Sequence, residues 1–194
     1  MPTRAQVRTM NWADQLLQNW RIAKARPWLV KGARVLDIGC ADGALFRRVK
    51  GLGPSVGIDP DVPSRTQVGT ATLLKGAFPQ ALEDSSPFDA ITLLAVLEHI
   101  PPADQPRLAA DCARFLKPGG WLLMTVPAPA VDSITHVLRT LRIIHGMSLE
   151  EHTGLAPHSA VEVFASAGME LVKRKKFQLG LNNLFVFRRR GSSS

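Results

Sequence analysis

The sequence predicts an α/β fold: an open, mostly parallel sheet with helices on both faces. Two stretches carry that expectation. Val35-Leu36-Asp37-Ile38 is an apolar run with β-branched residues that stops at Gly39-Cys40-Ala41-Asp42-Gly43, and Ala44, Leu45 and Phe46 then resume with helical spacing. The stretch reads as strand, tight loop, helix. Phe88 to Leu94 is apolar except at Asp89 and Thr92, the pattern of a strand covered on both faces.

Taken in order, residues 1–10 carry no periodic signal. Asn11 with Asp14 resembles a capping box, and Trp12, Leu16, Trp20 and Ala23 share one helical face before Pro27 ends the run. On its own, such a helix reads as one that docks on the core through its two tryptophans. The first strand covers about 34–38 and its helix about 42–49. Val56-Gly57-Ile58-Asp59-Pro60 is a second short strand ending in an acid. Residues 61–69 contain Pro63 and Gly69 and are too short and broken for a full crossover helix before the next apolar run, Thr72 to Leu74.

After the strand at 88–94, Pro101 and Pro102 punctuate, and a helix over about 104–116 turns Leu108, Cys112, Phe115 and Leu116 inward. Pro118-Gly119-Gly120 turns the chain into a strand over 121–126. Residues 127–157 read as an insertion in which Ile134, Val137, Leu138, Leu141 and Ile144 form one helical stripe. It is a candidate substrate lid, with a membrane-lying or core-packed helix as alternatives. The last helix spans about 158–167. Met169 to Leu179 and Asn183 to Arg188 form a closing hairpin, and residues 191–194 have the composition of a flexible tail.

The length of 194 residues and the 45% hydrophobic content suit one domain, here 1–190, with residues 1–31 as an N-terminal helical cap. No apolar run is long enough to span a bilayer, and no signal peptide opens the chain. The two cysteines, Cys40 and Cys112, read as free thiols of a reducing compartment, so cytoplasm is the expected location. No metal-binding spacing of histidine or cysteine occurs. The net charge is +8, and Lys173, Arg174, Lys175, Lys176, Arg188, Arg189 and Arg190 all follow the last acid, Glu170. That basic edge is either a solvated sheet border or a patch for nucleic acid or an anionic membrane surface.

Glycines at 39 and 43 let a ligand approach the main chain closely. A dinucleotide site would want G-x-G-x-x-G here, whereas the spacing is D-x-G-x-x-x-G with an acid on the strand end. A carboxylate at Asp37 repels a diphosphate and suits an ammonium group, and Asp59 can accept hydrogen bonds from two ribose hydroxyls. An amino acid joined to a nucleoside fits both acids.

At these residues, at Phe88-Asp89-Ala90-Ile91 through Val96-Leu97-Glu98-His99-Ile100, and at Leu116-Lys117-Pro118-Gly119-Gly120-Trp121-Leu122-Leu123, the chain resembles the class I S-adenosylmethionine-dependent methyltransferases. The likeness is to their small-molecule branch, methyltransferase type 11/23-like, with the VLDIGCGxG-type first motif. It implies a Rossmann-like, seven-stranded, mostly parallel sheet whose last strand is antiparallel. The resemblance also implies that the helix ending at Pro27 packs beside the cofactor mouth, where it can act as a lid, and S-adenosylmethionine is the implied cofactor. Asp37, Gly39, Cys40 and Gly43 would cradle its methionine and ribose, and Asp59 would take the ribose hydroxyls. Relatives carry Gly-Asp-Ala after the third strand where this chain has Gly76-Ala77-Phe78, so adenine would be held by backbone groups and by packing against Phe78 or Pro60. Leu94, Ala95 and Val96 would pass under the methionine part.

Methyl transfer is an in-line displacement that needs geometry above all, and a hydroxyl acceptor adds a use for a base. Glu98 and His99, immediately beyond the strand at 88–94, are the candidates, with a purely turn-stabilising role as the alternative. The Asn/Asp-Pro-Pro-aromatic segment of nucleic-acid N-methyltransferases is replaced by Leu94-Ala95-Val96-Leu97, and the chain has no tyrosine, which argues against base methylation. The expected function is methyl transfer to oxygen or nitrogen of a small organic acceptor. The alternatives are a non-catalytic cofactor-binding regulator, and an enzyme that reaches a nucleic-acid or membrane-associated substrate through the basic edge. The oligomeric state is left open.

Overall fold

The computed structural model describes residues 12–128 and 157–191. The expectations for residues 1–11, for the bulk of the insertion and for the last three residues lie outside that range. Among the described residues eight strands form one sheet: β1 (Val35–Ile38), β2 (Ser55–Asp59), β3 (Thr66–Val68), β4 (Ala71–Lys75), β5 (Phe88–Leu94), β6 (Leu116–Pro127), β7 (Met169–Phe177) and β8 (Asn182–Arg189), in the order β3-β4-β2-β1-β5-β6-β8-β7. β1 pairs in parallel with β2 and β5, β2 with β4, and β5 with β6, so the core of the sheet is parallel. β8 is antiparallel to both β6 and β7.

The expected count of seven is corrected by β3, an antiparallel edge strand against β4. Thr66 and Val68 are β-branched and pair with Leu73 and Ala71, and Gly69 opens the two-residue turn at φ +61°. A tight hairpin of this kind wants a residue free to take positive φ at that point. The chain therefore returns from β2 to β4 through an outer strand in place of a crossover helix.

Apolar side chains alternate between the two faces of the sheet, and each face has its own cover. On one face Leu36, Ile91, Met124 and Phe187 pack with Ala109, Cys112 and Phe115 of α3 (Gln105–Phe115), and with Ala160 and Phe164 of α4 (Pro157–Ser166). Phe164 is fully buried with its ring 5.6 Å from that of Phe187. Burying one such side chain contributes about 1.5–3 kcal/mol. On the other face Val35, Ala90, Leu123 and Val186 meet Ile22 and Ala25 of α1 (Trp12–Ala25), and Ala44, Leu45 and Phe46 of α2 (Ala44–Arg48).

Two local expectations change. Ile22 and Ala25 anchor α1, while Trp12 is 79% and Trp20 46% exposed, so the tryptophans do not dock the helix. The Pro118-Gly119-Gly120 turn is absorbed into β6: Phe88 pairs with Leu116 and Ala90 with Trp121, which leaves the segment between as a register shift within one long strand.

Candidate active site

Parallel register brings the carboxyl ends of β1, β2 and β5 to one edge of the sheet, with Ile38 between Ile58 and Leu93. The loop from β1 to α2 crosses that edge. Gly39 N–H and Cys40 N–H both donate to the Ile58 carbonyl at 2.8 and 3.2 Å, which ties the loop to the tip of β2. Gly39 has φ +74°, and a Cβ there would be driven into Cγ2 of Val96, just past β5. Only glycine lets the two loops come this close. Gly43 starts α2 at φ +75°. Ala41 occupies the left-handed region at φ 45°, the position of the middle glycine in the VLDIGCGxG-type motif.

Asp59 holds the loop from the other side. Its Oδ2 accepts from Ala41 N–H at 2.9 Å and its Oδ1 from Asp61 N–H at 2.8 Å, and the residue stays half-exposed. Each carboxylate oxygen keeps a lone pair for a hydroxyl in front of it. The backbone of Gly76, at the end of β4, donates to the Asp59 carbonyl at 3.2 Å, so Gly76, the exposed Ala77 and the exposed Pro60 flank this carboxylate. Phe78 turns edge-on to Phe115, ring centroids 5.6 Å apart, and packs against the α3-side core.

Asp37 lies beneath the loop, 4% exposed, with Oδ1 accepting from the Thr92 hydroxyl at 2.5 Å. Burial pushes its carboxyl up to about 7; the Thr92 hydrogen bond opposes this, and the negative charge of Asp59 adds to it. The two acids therefore feel one another across the loop. Burial, reinforced by Asp37 and Asp59, keeps the Cys40 thiol protonated. At the loop's outer end Asp42 is held by Arg47 and lies 3.5 Å from the side-chain nitrogen of Gln18 on α1, which places that helix along the rim.

At the end of β5, Leu94 and the following Ala95 are half-buried, and Ala95, at φ 62°, donates its N–H to the Thr125 carbonyl at 3.1 Å. A short turn of helix over Leu97–His99 follows. Its His99 side chain is exposed, whereas Glu98 is turned inward. Oε2 of Glu98 is buried without a hydrogen-bond partner among the described residues. Burial pushes the Glu98 carboxyl up to about 7, a rise opposed by a backbone hydrogen bond and by the positive charge of Arg21 on α1. Among the described residues no cluster of three or more histidine, cysteine or acidic side chains is placed to hold a metal.

Residues 92 and 21 are neighbours of the site that sequence reasoning does not single out. Thr92 has a visible signal, a hydroxyl in an otherwise apolar strand. Arg21 has none.

A family model described as a methyltransferase domain matches residues 11–173. Among curated relatives, the ubiquinone biosynthesis O-methyltransferase of Xanthomonas oryzae pv. oryzae (strain PXO99A) is 36% identical over 104 residues, covering 48% of this chain and 43% of the relative. Its counterpart from Paracidovorax citrulli (strain AAC00-1) is 35% identical over 108 residues, covering 50% and 44%. The chain thus spans less than half the length of these relatives. Among solved structures, the magnesium protoporphyrin IX methyltransferase of Synechocystis PCC 6803 with bound SAH has TM-score 0.67 at 16% identity, covering 93% of this chain and 88% of that one. The N-methyltransferase NodS of Bradyrhizobium japonicum WM9 in complex with S-adenosyl-l-homocysteine has TM-score 0.66 at 15% identity, covering 93% and 89%. At such identities these two speak for the shared fold. The family match, running from α1 into β7 and enclosing the glycine loop with both of its acids, makes the chain a member of the class I S-adenosylmethionine-dependent methyltransferase family.

Proposed function

We propose that the protein transfers a methyl group from S-adenosylmethionine to oxygen or nitrogen of a small organic acceptor. The observation that carries this is the convergence of Asp37 and Asp59 on one glycine loop. The residues fit the cofactor's chemistry. The backbone cradle at Gly39 has no room for a side chain, Asp59 offers acceptors to a diol, and the buried acid at Asp37 has no cation among the described residues to favour its charged form.

Bound there, S-adenosylmethionine supplies an electrophilic methyl group on a positively charged sulfur. The chain's own residues do the rest. Thr92 orients Asp37, and Asp37 stabilises an ammonium group through a carboxylate that is most sensitive to charge near neutral pH. Asp59 fixes the ribose while keeping the loop closed through Ala41. Leu94, Ala95 and Val96 present an apolar floor that keeps water from the reacting line.

Glu98 is the general base of this reading, its inward Oε2 taking the proton that a hydroxyl or amine acceptor releases as it is methylated. A carboxyl held near 7 is half-ionised at neutral pH and still basic enough to accept that proton. His99, on the exposed side of the same turn, is the secondary candidate.

Titration calorimetry with S-adenosylmethionine, on the wild type and on Asp59→Ala, tests the site. Loss of two charge-assisted contacts should weaken binding by about tenfold or more, and unchanged affinity would refute the assignment. Transfer of a labelled methyl group to a panel of phenols and amines tests turnover. Tight cofactor binding with no transfer to any of them would favour the non-catalytic reading.

A further inference from the structure

α1 is apolar on two sides. Its inner side, Ile22 and Ala25, is buried against the sheet. On the outer side Trp12 is 79% exposed, Leu16 46%, Leu17 37% and Trp20 46%. Four large apolar side chains within three turns, all open to water, exceed the scatter of single exposed residues on an ordinary surface.

The patch continues onto a second element. The Leu17 carbonyl accepts from the Gln178 side chain at 3.4 Å, which brings the β7–β8 turn against the helix. At the tip of that turn Leu179 is 99% exposed. Gln178, Leu179 and Gly180 all hold positive φ, at 52°, 56° and 87°. A left-handed leucine costs about 1–2 kcal/mol relative to glycine, and this one makes no apolar contact in return within the described fold.

Charge lies beside it. Lys173 and Lys175 on β7 are paired with Val186 and Leu184, whose side chains enter the core on the α1 face, so both lysines leave the sheet on the side of the helix. Lys173 to Lys176 are all exposed, and no acid follows Glu170. Among the described residues no helix is long and apolar enough to cross a membrane. A helix lying with two tryptophans outward, a leucine at a neighbouring turn tip and lysines alongside is the composition of a surface that rests in a headgroup layer.

We propose that the outer side of α1, the Leu179 tip and the lysines of β7 form a docking surface for an anionic lipid bilayer. A polyanion such as RNA would be served by the lysines and would leave Leu179 without a role. A second copy of the chain would bring the same positive charge against itself. Gln18 of the same helix reaches Asp42 on the glycine loop from the inner side, so docking would hold that loop about one helix diameter, about 10–12 Å, from the lipid surface. Resting on the proposed function, this makes the acceptor an amphiphile presented from the bilayer.

Flotation of the full chain with vesicles of phosphatidylcholine alone, or mixed with phosphatidylglycerol, reads binding without turnover, so its result is independent of the methyltransferase assignment. Retention is expected on the mixed vesicles only, falling as salt is raised. Lys173→Gln with Lys175→Gln should weaken it about thirtyfold, at roughly a factor of five per surface lysine. Leu179→Asp and Trp20→Ser should each weaken it about tenfold or more by removing inserted apolar area. Thermal unfolding and cofactor affinity should stay as in the wild type for all of these variants. Absence of retention on anionic vesicles at low salt overturns the proposal. So does Leu179→Asp floating as well as the wild type, which would leave a charge-only surface of the kind a nucleic acid uses. Sedimentation showing a dimer that Trp20→Ser dissociates would also overturn it, in favour of a second copy.

Discussion

Two loops leave neighbouring strands at the same edge of the sheet and are finished in opposite ways. After β1, the described polar groups of the glycine loop are matched: Gly39 and Cys40 on Ile58, Ala41 on Asp59, and Asp42 on Arg47. After β5, the chain turns through Val96 to Glu98 and buries a carboxyl oxygen with no hydrogen-bond partner among the described residues. A buried polar atom left this way costs about 1–3 kcal/mol. In the proposed reading the first loop is preorganised for a ligand that arrives complete, and the second keeps a group for a proton. Binding and proton transfer would then fall to different strands, which makes the two separable by mutation.

The largest expected separation is at Glu98. Glu98→Gln keeps the volume and removes the base, so kcat should fall by about 10²- to 10⁴-fold, while calorimetry finds the cofactor bound as before. In the wild type kcat/KM should rise as pH passes about 7, since the base acts when ionised, and that limb should vanish in the variant. Loss of cofactor binding with activity would place Glu98 in the cradle and erase the contrast.

Gly39→Ala breaks the other loop. The left-handed backbone adds about 1–2 kcal/mol, and the clash with Val96 about 1–3 kcal/mol of overpacking. Denaturant unfolding should register both, and cofactor binding should weaken in parallel. A variant as stable as the wild type would mean that the two loops are not in contact.

A pH scan of stability sharpens the comparison because one perturbed acid belongs to each side: Asp37 beneath the glycine loop, Glu98 in the turn after β5. Asp37 and Glu98 both stand at about 7 in the folded chain, against ordinary values of 3.8 and 4.5. The native state thus holds more protons than the unfolded chain between those limits. The stabilisation is complete below about 4 and is lost as pH rises through about 7. Asp37→Asn should remove one part of that slope and Glu98→Gln the other. Saturating cofactor should flatten only the Asp37 part, since an ammonium group favours that carboxylate.

The smallest effect is at Ala41. Replacing it by glycine relaxes φ 45° at the cost of a more flexible unfolded chain, for a net gain of about 1 kcal/mol or less. Thermal unfolding checks it, and cofactor affinity should not change.

The parallel half of the sheet is legible in the sequence because its strands are short, largely apolar runs; Phe88–Leu94, interrupted only by Asp89 and Thr92, is the clearest case. The positions of Asp37 and Asp59 are legible too, since each stands where an apolar run stops. β3 was missed because Thr66-Gln67-Val68 is three residues long and largely exposed, although Gly69-Thr70 before Ala71 is a recognisable hairpin turn. Which side of α1 meets the core is not legible, because periodicity reports that residues share a side and is silent on what that side meets. Contacts such as Val96 on Gly39, or Arg21 near Glu98, depend on where two distant stretches come to rest and leave no local trace.

The outer hairpin has a kinetic consequence. Thr66 to Val68 meet Ala71 to Leu73 across a two-residue turn, so that border of the sheet assembles by a closure far shorter than the βαβ crossover it replaces. Hairpins form in about 1–10 μs. This margin should open and close on its own clock, and amides of β3 should exchange with solvent well before those of β1 and β5, where the strands lie in the middle of the sheet.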